Sequence, residues 1–367
     1  MKQFHLRKTP PSSPIDYHID YESALNQQQL SAVTSPAKRL LILAGAGTGK
    51  TKTLIYKVSR LIESGVPPEQ IVLLTFTRRA AKEMMERATQ LLDERCQYVQ
   101  GGTFHSFCTQ ILRKYSNHIG YNNEFSIIDS ADSIDLIQHV RSTLNIDHRS
   151  QRFPAKRSLA KLFTLHKNKQ LDMRVLLQEY YPQFLVHEKD VIRLFKTYES
   201  YKAKHHIMDF DDLLFNTEKL FTEYPAILER VSSTCQYVLV DEFQDTNKIQ
   251  ASLCEYFSSF HQNLTVVGDD AQSIYAFRGS DYENILRFPE EHANTELIKL
   301  EENYRSSPEI LEVANAVLKQ SSILFKKKLF TNRESSDLPA LIKAIDDKEE
   351  AEFISQLVLH LSEHQIT

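Results

Sequence analysis

The fold of this chain is decided by one stretch near its N-terminus, Leu40-Leu41-Ile42-Leu43-Ala44-Gly45-Ala46-Gly47-Thr48-Gly49-Lys50-Thr51. The apolar residues predict a buried strand. The small residues after them let several backbone N–H groups point at one spot at the start of a helix, where an anion is favoured. In such a loop Lys50 reaches the terminal phosphates of a nucleotide and Thr51 offers its hydroxyl to Mg²⁺, so the stretch predicts a phosphate-binding loop.

The segment after the loop has the pattern of a helix that packs on a sheet. Its apolar residues recur on one helical face, at Leu54, Ile55, Val58, Leu61 and Ile62. Gly65 is placed to end this helix. The alternative is a glycine-rich turn that binds nothing, and the order of strand, loop, Lys-Thr pair and helix argues against it.

The composition is that of an ordinary globular protein, with 41% hydrophobic and 25% charged residues among 367. No apolar run approaches membrane-spanning length, so we expect no membrane association and a cytoplasmic location. Residues 1–20 are predicted to be a flexible leader, because the polar N-terminus contains a run rich in Pro and Ser. The four cysteines include no C-x-x-C pair, which favours buried free thiols over a zinc site, although a cluster of distant cysteines stays open.

The net charge of −4 provides no global basic field for nucleic acid. A groove needs only local positive charge, however, and one local basic stretch exists. It consists of Arg152, Lys156, Arg157, Lys161, Lys167 and Lys169. On charge alone, this stretch is either a solvated helix face or a phosphate contact.

Short apolar runs predict the strands of a parallel sheet, at 40–43, 71–75, 237–240 and 264–267. Helical patterns lie between these runs, and this alternation predicts an α/β fold. Asp241 lies 191 positions after Lys50, a longer interval than a simple phosphate-loop domain needs. Most of the interval has helical periodicity, so we infer a helical domain inserted into the α/β domain.

The C-terminal region has its own signals. A further strand is predicted at 297–300, and Ser307 followed by Pro308 predicts a helix start with Ser307 as the N-cap. Residues 341–345 are predicted to form another strand, and the chain is predicted to end within a helix. This region has the pattern of an unfinished domain.

Two acids, Asp241 and Glu242, end the apolar run at 237–240. Asp241 is placed to hold Mg²⁺, and Glu242 to orient or deprotonate a water. Together with the phosphate loop they predict hydrolysis of a nucleoside triphosphate. Gln272 follows the next strand, where an amide can sense the terminal phosphate. Farther along, Tyr275, Phe277 and Arg278 alternate as base-stacking and phosphate-pairing groups do, although the two aromatic residues could equally belong to the core.

Taken together, these segments resemble the UvrD/Rep/PcrA family of superfamily 1 DNA helicases. The resemblance extends from about residue 24 to residue 311. The matching segments, in order, are 25–29, 49–51, 75–84, 102–107, 209–214, 240–247, 272–279 and 303–306. The resemblance implies a RecA-like P-loop NTPase domain at 21–106 and 205–295, an inserted helical accessory domain at 107–204, and the start of a second RecA-like domain at 296–367.

The resemblance also implies roles for single residues. Gln29 and Tyr304 would bind adenine, and Gln272 and Arg305 would contact the γ-phosphate. Phe76, His105, Tyr275 and Phe277 would line the path of single-stranded DNA, with Arg278 coupling that path to the nucleotide. Family members commonly carry Trp at the position of Phe277, so we expect a weaker grip on bases. The basic stretch would then contact duplex DNA. For Asp209, Asp211 and Asp212 we favour helix capping over metal binding.

The implied function is an ATP- and Mg²⁺-dependent DNA helicase that moves 3′→5′ on single-stranded and junction DNA. Its partners would include repair or replication proteins, and its oligomeric state stays undetermined. Nothing after Arg305 resembles the family's late motifs, so we expect an N-terminal portion with weak nucleotide binding and little activity alone. The alternatives are the helicase part of a helicase–nuclease complex and a non-motor nucleotide-binding module.

Overall fold

The computed structural model describes residues 17–144, 146, 153–276, 279–320, 325–335 and 337–364. Its centre is a six-stranded sheet in the order β3-β2-β6-β7-β1-β8. The strands of this sheet are β1 (Arg39–Ala44), β2 (Ile71–Thr75), β3 (Gln100–Thr103), β6 (Tyr237–Val240), β7 (Leu264–Gly268) and β8 (Glu296–Leu300). Every paired neighbour is parallel. The predicted α/β fold and its central strands are therefore confirmed.

Helices connect the strands and cover both faces of the sheet. The helices up to residue 204 are α1 (Tyr21–Ala24), α2 (Gln27–Thr34), α3 (Lys50–Glu63), α4 (Arg78–Leu91), α5 (Phe104–Tyr115), α6 (Ser130–Thr143), α7 (Lys156–Lys169), α8 (Met173–Tyr180) and α9 (Glu188–Lys204). Those that follow are α10 (Phe210–Glu223), α11 (Pro225–Ser232), α12 (Lys248–Ser258), α13 (Glu283–Glu291), α14 (Pro308–Gln320) and α15 (Asp347–Glu363). A small parallel pair, β4 (Ser126–Ile127) and β5 (Ile207–Met208), lies apart from the main sheet.

The core follows from strand alternation. Leu41 and Leu43 face one apolar cluster, whereas Leu40 and Ile42 face a second cluster on the other side of the sheet. Both faces of β1 are therefore buried, which explains its continuous apolar run. The helix predicted after the phosphate loop is α3, and Gly65 follows it at φ +89°.

Helices α6–α9 bury a third apolar cluster of their own, which includes Ile137, Leu162 and Leu194. The chain reaches these helices after α5 and returns through β5 to α10. They fall within the range predicted as an insertion, whose boundaries stay a prediction. No helix in the described part of the chain combines the length and the apolarity needed to cross a lipid bilayer.

The predicted leader and the strand β8 differ from expectation or extend it. Residues 1–16 of the predicted leader lie outside the described residues, whereas the amide of His18 donates to Glu63 Oε1 at 2.6 Å. β8 pairs with β1 and so completes the main sheet, although it falls in the range predicted as the second RecA-like domain. The domain division between 295 and 296 stays a prediction.

The strand predicted at 341–345 is wrong, since these residues have no regular structure. A strand exists only through pairing with a neighbour, and the apolar side chains of Leu341, Ile342 and Ile345 are exposed here. The final helix is confirmed as α15, and none of its residues is buried. α14 begins at Pro308 as predicted, but the buried Ser307 Oγ makes no hydrogen bond, so the expected side-chain cap is absent.

Candidate nucleotide and DNA site

The candidate site lies along one edge of the main sheet. In a parallel sheet all carboxyl ends of the strands meet at the same edge, and ligands bind there. The predicted phosphate loop follows β1, the acidic pair follows β6, and Gln272 follows β7. Phe76 follows β2, and His105 lies just after β3. Sheet topology thus brings together residues that are widely separated in the sequence.

The phosphate loop has the curled backbone that its composition predicts. Gly47 and Gly49 adopt φ of +76° and +86°, a region that glycine enters at little cost. Thr48 Oγ1 donates to Gly45 O at 2.8 Å and tightens the turn. Lys50 is the first residue of α3 and Thr51 the second, so both lie where the helix directs free N–H groups.

The lysine of this loop pairs with the second acid of the β6 end. Lys50 Nζ lies 2.8 Å from Glu242 Oε2, and the lysine side chain is only 11% exposed. Glu242 has φ +51°, the left-handed region that a non-glycine residue enters at a cost, so local strain helps to set the direction of its side chain. Phosphate loop and acidic pair are therefore in direct contact.

The first acid, Asp241, is buried beside this pair. Burial raises the pKa of Asp241 to about 7, the charge of Glu242 adds to this, and Lys50 opposes it. Its Oδ1 atom is buried without a hydrogen-bond partner. Desolvation and the charge of Glu242 also raise the pKa of Asp245 to about 6. Asp245 Oδ1 likewise has no hydrogen-bond partner among the described residues.

This donor set fits a divalent cation. Buried carboxylate oxygens without partners are costly unless something satisfies them, and hard cations such as Mg²⁺ take oxygen ligands. Asp241 and Asp245 supply such oxygens, and the Thr51 hydroxyl is the ligand that a phosphate loop adds. The residues present therefore fit Mg²⁺ beside a phosphate group.

One amide links the ends of β6 and β7. Gln244 Nε2 donates to Glu242 Oε2 at 2.9 Å, and Gln244 Oε1 accepts from the Asp269 amide at 2.9 Å. Gln272 Nε2 in turn donates to Asp269 Oδ2 at 2.5 Å. The predicted phosphate sensor is thus joined to the acidic pair through Asp269 and Gln244.

The residues predicted to bind adenine lie near one another. Asn26 caps α2 in a capping box with Gln29, and its Nδ2 donates to Tyr304 Oη at 2.8 Å. Tyr304 is 45% exposed, and its Oη donates to Glu302 Oε2 at 2.9 Å. Gln29 is fully buried, and its Nε2 donates to Thr48 O at 3.0 Å. The Gln29 amide therefore supports the phosphate loop here, and an adenine contact stays a prediction.

The segment 303–305 packs directly on the phosphate loop. Asn303 Nδ2 donates to Ala46 O at 2.6 Å, and the Tyr304 amide donates to Gly47 O at 2.9 Å. A Cβ at Gly47 would lie 2.8 Å from Arg305 Cβ and 2.7 Å from Asn303 Nδ2, so only glycine fits. The exposed Arg305 therefore lies beside the loop, as its predicted role requires.

The predicted DNA-contacting aromatic residues form two pairs. The rings of Phe76 and Tyr275 stack with centroids 5.2 Å apart, and Phe76 is 37% exposed. Tyr275 is half-buried and outside the apolar clusters, so the core alternative is wrong for this residue. His105 meets the exposed Phe210 edge-on at 5.9 Å, and burial and Arg78 lower the pKa of His105. Phe277 and Arg278 lie outside the described residues.

The basic stretch is not one surface. Lys167 is buried, with Nζ 2.5 Å from Asp212 Oδ1, so a phosphate contact is wrong for this lysine. Lys169 donates to Tyr180 Oη at 2.5 Å, whereas Arg157 and Lys161 are exposed. The sequence of the basic stretch does not show which lysine is buried, because the acids that pair with Lys167 come from another segment. Arg152 lies outside the described residues.

The helix capping predicted at 209–212 is observed, whereas the absence of a metal there stays a prediction. Asp209 accepts from the Asp212 amide at 2.8 Å and caps α10. Among the described residues, Glu199, Asp209 and Asp212 are three acids close enough together to hold an ion, but Lys167 and Lys202 already contact all three. The four cysteines are buried and free, as predicted.

Sequence reasoning missed one buried contact at this site. Lys327 Nζ lies 2.6 Å from Asp270 Oδ1 and also pairs with Asp269 Oδ1. Lys327 is the middle member of Lys326-Lys327-Lys328, a run that is typical of a solvated face. No local signal marks the middle lysine as buried, because its two partners lie in a distant segment.

Comparisons with known proteins agree with this geometry. Residues 25–293 match the family described as UvrD/REP helicase N-terminal domain, and residues 298–367 match the UvrD-like helicase C-terminal domain. The chain is 38% identical over 342 residues to the ATP-dependent DNA helicase PcrA of Staphylococcus epidermidis, covering 93% of this chain and 46% of the relative. It is 36% identical over 338 residues to the same-named protein of Staphylococcus aureus, covering 91% and 45%. The chain thus spans about half the length of these relatives.

Proposed function

Because this chain belongs to the UvrD/REP helicase family, we propose that it is the ATP-binding part of an ATP-dependent DNA helicase. The observation that carries the proposal is the pairing of Lys50 Nζ with Glu242 Oε2 at 2.8 Å, next to the unpartnered Oδ1 of Asp241. A phosphate-binding lysine, a candidate base and a candidate metal ligand thus share one small volume. Both staphylococcal relatives are named ATP-dependent DNA helicase PcrA.

In this proposal the backbone from residue 44 to residue 49 holds the phosphates of ATP. Lys50 would leave its present partner, Glu242, and bind the terminal phosphates. These carry more negative charge than the single carboxylate. That exchange leaves the Glu242 carboxylate free to orient a water for attack. Gln272 and Arg305 would contact the γ-phosphate, and Tyr304 and Gln29 would hold the adenine.

Mg²⁺ would be held by Asp241 and Thr51, and when bound it supplies positive charge to the phosphate oxygens. The raised pKa of Asp241 has a direct consequence for the protein. Near neutral pH this carboxyl carries a proton part of the time, and a bound cation replaces that proton. Asp245, whose Oδ1 also lacks a partner, is placed to support the same ion.

Single-stranded DNA would lie along the β2–β3 part of the same sheet edge. Phe76 and Tyr275 already stack on each other, so a base has to separate the two rings or stack on one exposed face. His105 and Phe210 form a second aromatic pair near this edge. Phe277 and Arg278 keep their proposed roles in base stacking and coupling.

We place unwinding itself, the 3′→5′ direction, the preference for junction DNA and any repair or replication partner with the whole protein, since this chain spans less than half of its relatives. We also propose a cytoplasmic location. Alone, the 367-residue chain is expected to bind nucleotide weakly and to hydrolyse it slowly, because closure of two RecA-like domains on ATP is part of the proposed reaction.

The test is Lys50→Ala in the longest natural form of the protein, with ATP hydrolysis measured with and without single-stranded DNA. The loss of one charged phosphate contact in a preorganised site lowers turnover by about 10²–10³-fold or more. The matched control is Lys38→Ala, since Lys38 is exposed and lies before β1, at the opposite end of that strand. Full activity of Lys50→Ala would refute the assigned role of the loop.

The same measurement separates the alternatives. A non-motor nucleotide-binding module predicts that ATP binds and that DNA leaves hydrolysis unchanged. A helicase–nuclease machine predicts DNA-stimulated hydrolysis together with DNA cleavage, so the DNA is examined for strand breaks in the same reaction. DNA-stimulated hydrolysis without cleavage supports the proposal made here.

A further inference from the structure

Lys327 is buried between two aspartates at the end of β7. Its side chain is 3% exposed, and those of Asp269 and Asp270 are 4% and 1% exposed. One ammonium group therefore pairs with two carboxylates that have almost no access to water. Removal of such a partner leaves an uncompensated buried charge, which is far more costly than the loss of a surface ion pair.

The segment that carries Lys327 is fixed to α14 and to the phosphate loop. Asn315 of α14 accepts from the Leu329 amide at 2.9 Å and donates to Leu329 O at 2.7 Å. A Cβ at Gly45 would lie 2.6 Å from Leu329 Cδ2, so Leu329 packs closely on the loop backbone. Lys327 thus connects the α14 region to the end of β7.

Asp269 contacts both Lys327 and Gln272. Asp269 Oδ1 pairs with Lys327, and Asp269 Oδ2 accepts from Gln272 Nε2 at 2.5 Å. The two partners use different oxygens, so they do not compete for the carboxylate. Asp269 Oδ1 also accepts from the Ala271 amide at 3.1 Å, so Lys327 adds the charged contact on that oxygen while the other oxygen directs the Gln272 amide.

We infer that Lys327 is a positioning residue for Gln272. It fixes the Asp269 carboxylate, which orients the Gln272 amide, so the contact of that amide with a terminal phosphate depends on a lysine that touches no nucleotide itself. The inference rests on the proposed function, and in particular on the role of Gln272. It predicts that Lys327 sets the preference of the site for a triphosphate over a diphosphate.

The experiment measures the affinity of the purified 367-residue chain for fluorescently labelled ADP and for a labelled, non-hydrolysable ATP analogue. The variants are Lys327→Met, Gln272→Ala and the double variant. Each single variant should lower the ratio of ATP-analogue affinity to ADP affinity by about tenfold, the worth of one hydrogen bond to a charged phosphate. The double variant should lower the ratio no further, because both changes remove the same contact.

The matched control is Lys328→Met, since Lys328 is exposed and its backbone amide, not its side chain, contacts Glu301. Lys327→Arg keeps the charge and should recover part of the ratio. If Lys327→Met fails to fold, as thermal unfolding will reveal, Asp269→Asn replaces it and should lower the ratio equally. An unchanged ratio in the folded variant, or additive effects in the double variant, overturns the inference.

Failure of the proposed function has a different signature. If Lys50→Ala binds both nucleotides as well as the unaltered chain does, the phosphate loop itself is wrongly assigned and the inference falls with it. If Lys50→Ala loses binding while Lys327→Met keeps the normal ratio, the proposed function stands and only the role of Lys327 is wrong.

Discussion

Two clusters of lysines and acids in this chain have the same chemistry and opposite environments. The open cluster consists of Lys50, Asp241, Glu242 and Asp245, and it has one lysine for three acids. The closed cluster consists of Lys167, Lys202, Glu199, Asp209 and Asp212, and it has two lysines that each contact all three acids. The open cluster leaves the Oδ1 atoms of Asp241 and Asp245 without hydrogen-bond partners among the described residues, whereas each acid of the closed cluster contacts both lysines.

The pKa values of Asp209 and Lys202 follow this difference, although burial raises the pKa of Asp212 in the same cluster. In the closed cluster, burial alone would raise the pKa of Asp209, but Lys167 and Lys202 hold it well below its usual range. Burial likewise opposes the charge of Lys202, yet Asp212, Asp209 and Glu199 raise its pKa above its usual value. In the open cluster the pKa of Asp241 rises to about 7. A site that has to accept an external cation cannot supply all of the cations itself.

The largest expected effect comes from breaking the closed cluster with Lys202→Met. The Lys202 side chain is fully buried, so its loss leaves Asp209 and Asp212 with too little positive charge. The free energy of unfolding should fall by about 3–5 kcal/mol, measured by chemical denaturation. The exposed pair of Lys156 with Asp135 is the matched control, and Lys156→Ala should cost under about 1 kcal/mol.

A double variant sharpens this test. Lys202→Met combined with Asp212→Asn removes one positive and one negative charge together, so it should recover part of the lost stability. If the double variant is no more stable than Lys202→Met, the cost comes from lost packing and not from uncompensated charge. Equal effects of Lys202→Met and Lys156→Ala would contradict the distinction between the two clusters.

Asp241→Asn should have the second-largest effect on the free energy of unfolding. Unlike Lys202→Met, it should stabilise the chain. The folded pKa of Asp241 is raised from 3.8 to about 7, so the acid's stability contribution is complete below pH 3.8 and is lost as the pH rises through 7. Without Mg²⁺, the substitution should therefore stabilise the chain by roughly 2–4 kcal/mol at pH 8 and change little at pH 4. Denaturation at both pH values measures this.

A magnesium control belongs with that measurement. Mg²⁺ added with nucleotide should reduce the difference in unfolding free energy between Asp241→Asn and the unaltered chain at pH 8. The reason is that the ion stabilises the unaltered chain and not Asp241→Asn. If Asp241→Asn destabilises the chain at pH 8 in the absence of Mg²⁺, the open cluster does not need an external cation. The distinction between the open and the closed cluster then fails.

The smallest expected effect tests an exception within the closed region. Asp211 accepts from Thr164 Oγ1 at 2.8 Å and forms no ion pair with a lysine of the described residues; burial and the charge of Asp209 raise its pKa to about 6. Asp211→Asn should therefore stabilise the chain by about 1–3 kcal/mol at pH 8, and by little at pH 4, in the same denaturation experiment. A loss of stability at pH 8 would indicate that Asp211 is part of the neutralised network after all.

Much of the site was predictable because it depends on local patterns and on one rule of topology. The phosphate loop is a continuous stretch, and its lysine was expected to meet the acids after β6. Parallel strands bring their carboxyl ends to a common edge, so motifs that follow different strands converge. The strand predicted at 341–345 failed for the complementary reason, since a strand requires a partner that its own residues do not specify.

By itself, the sequence determined the α/β fold, the phosphate loop, the acidic pair and the order of the family segments, since each is encoded by residues close together in the chain. Only the tertiary structure decided which charges are buried and paired. Lys167 turned away from the basic stretch towards Asp212, 45 positions distant, and Lys327 left an exposed lysine run to neutralise Asp269, 58 positions distant. Burial and electrostatic pairing depend on what surrounds a side chain in space, and those neighbours come from segments that no local pattern identifies.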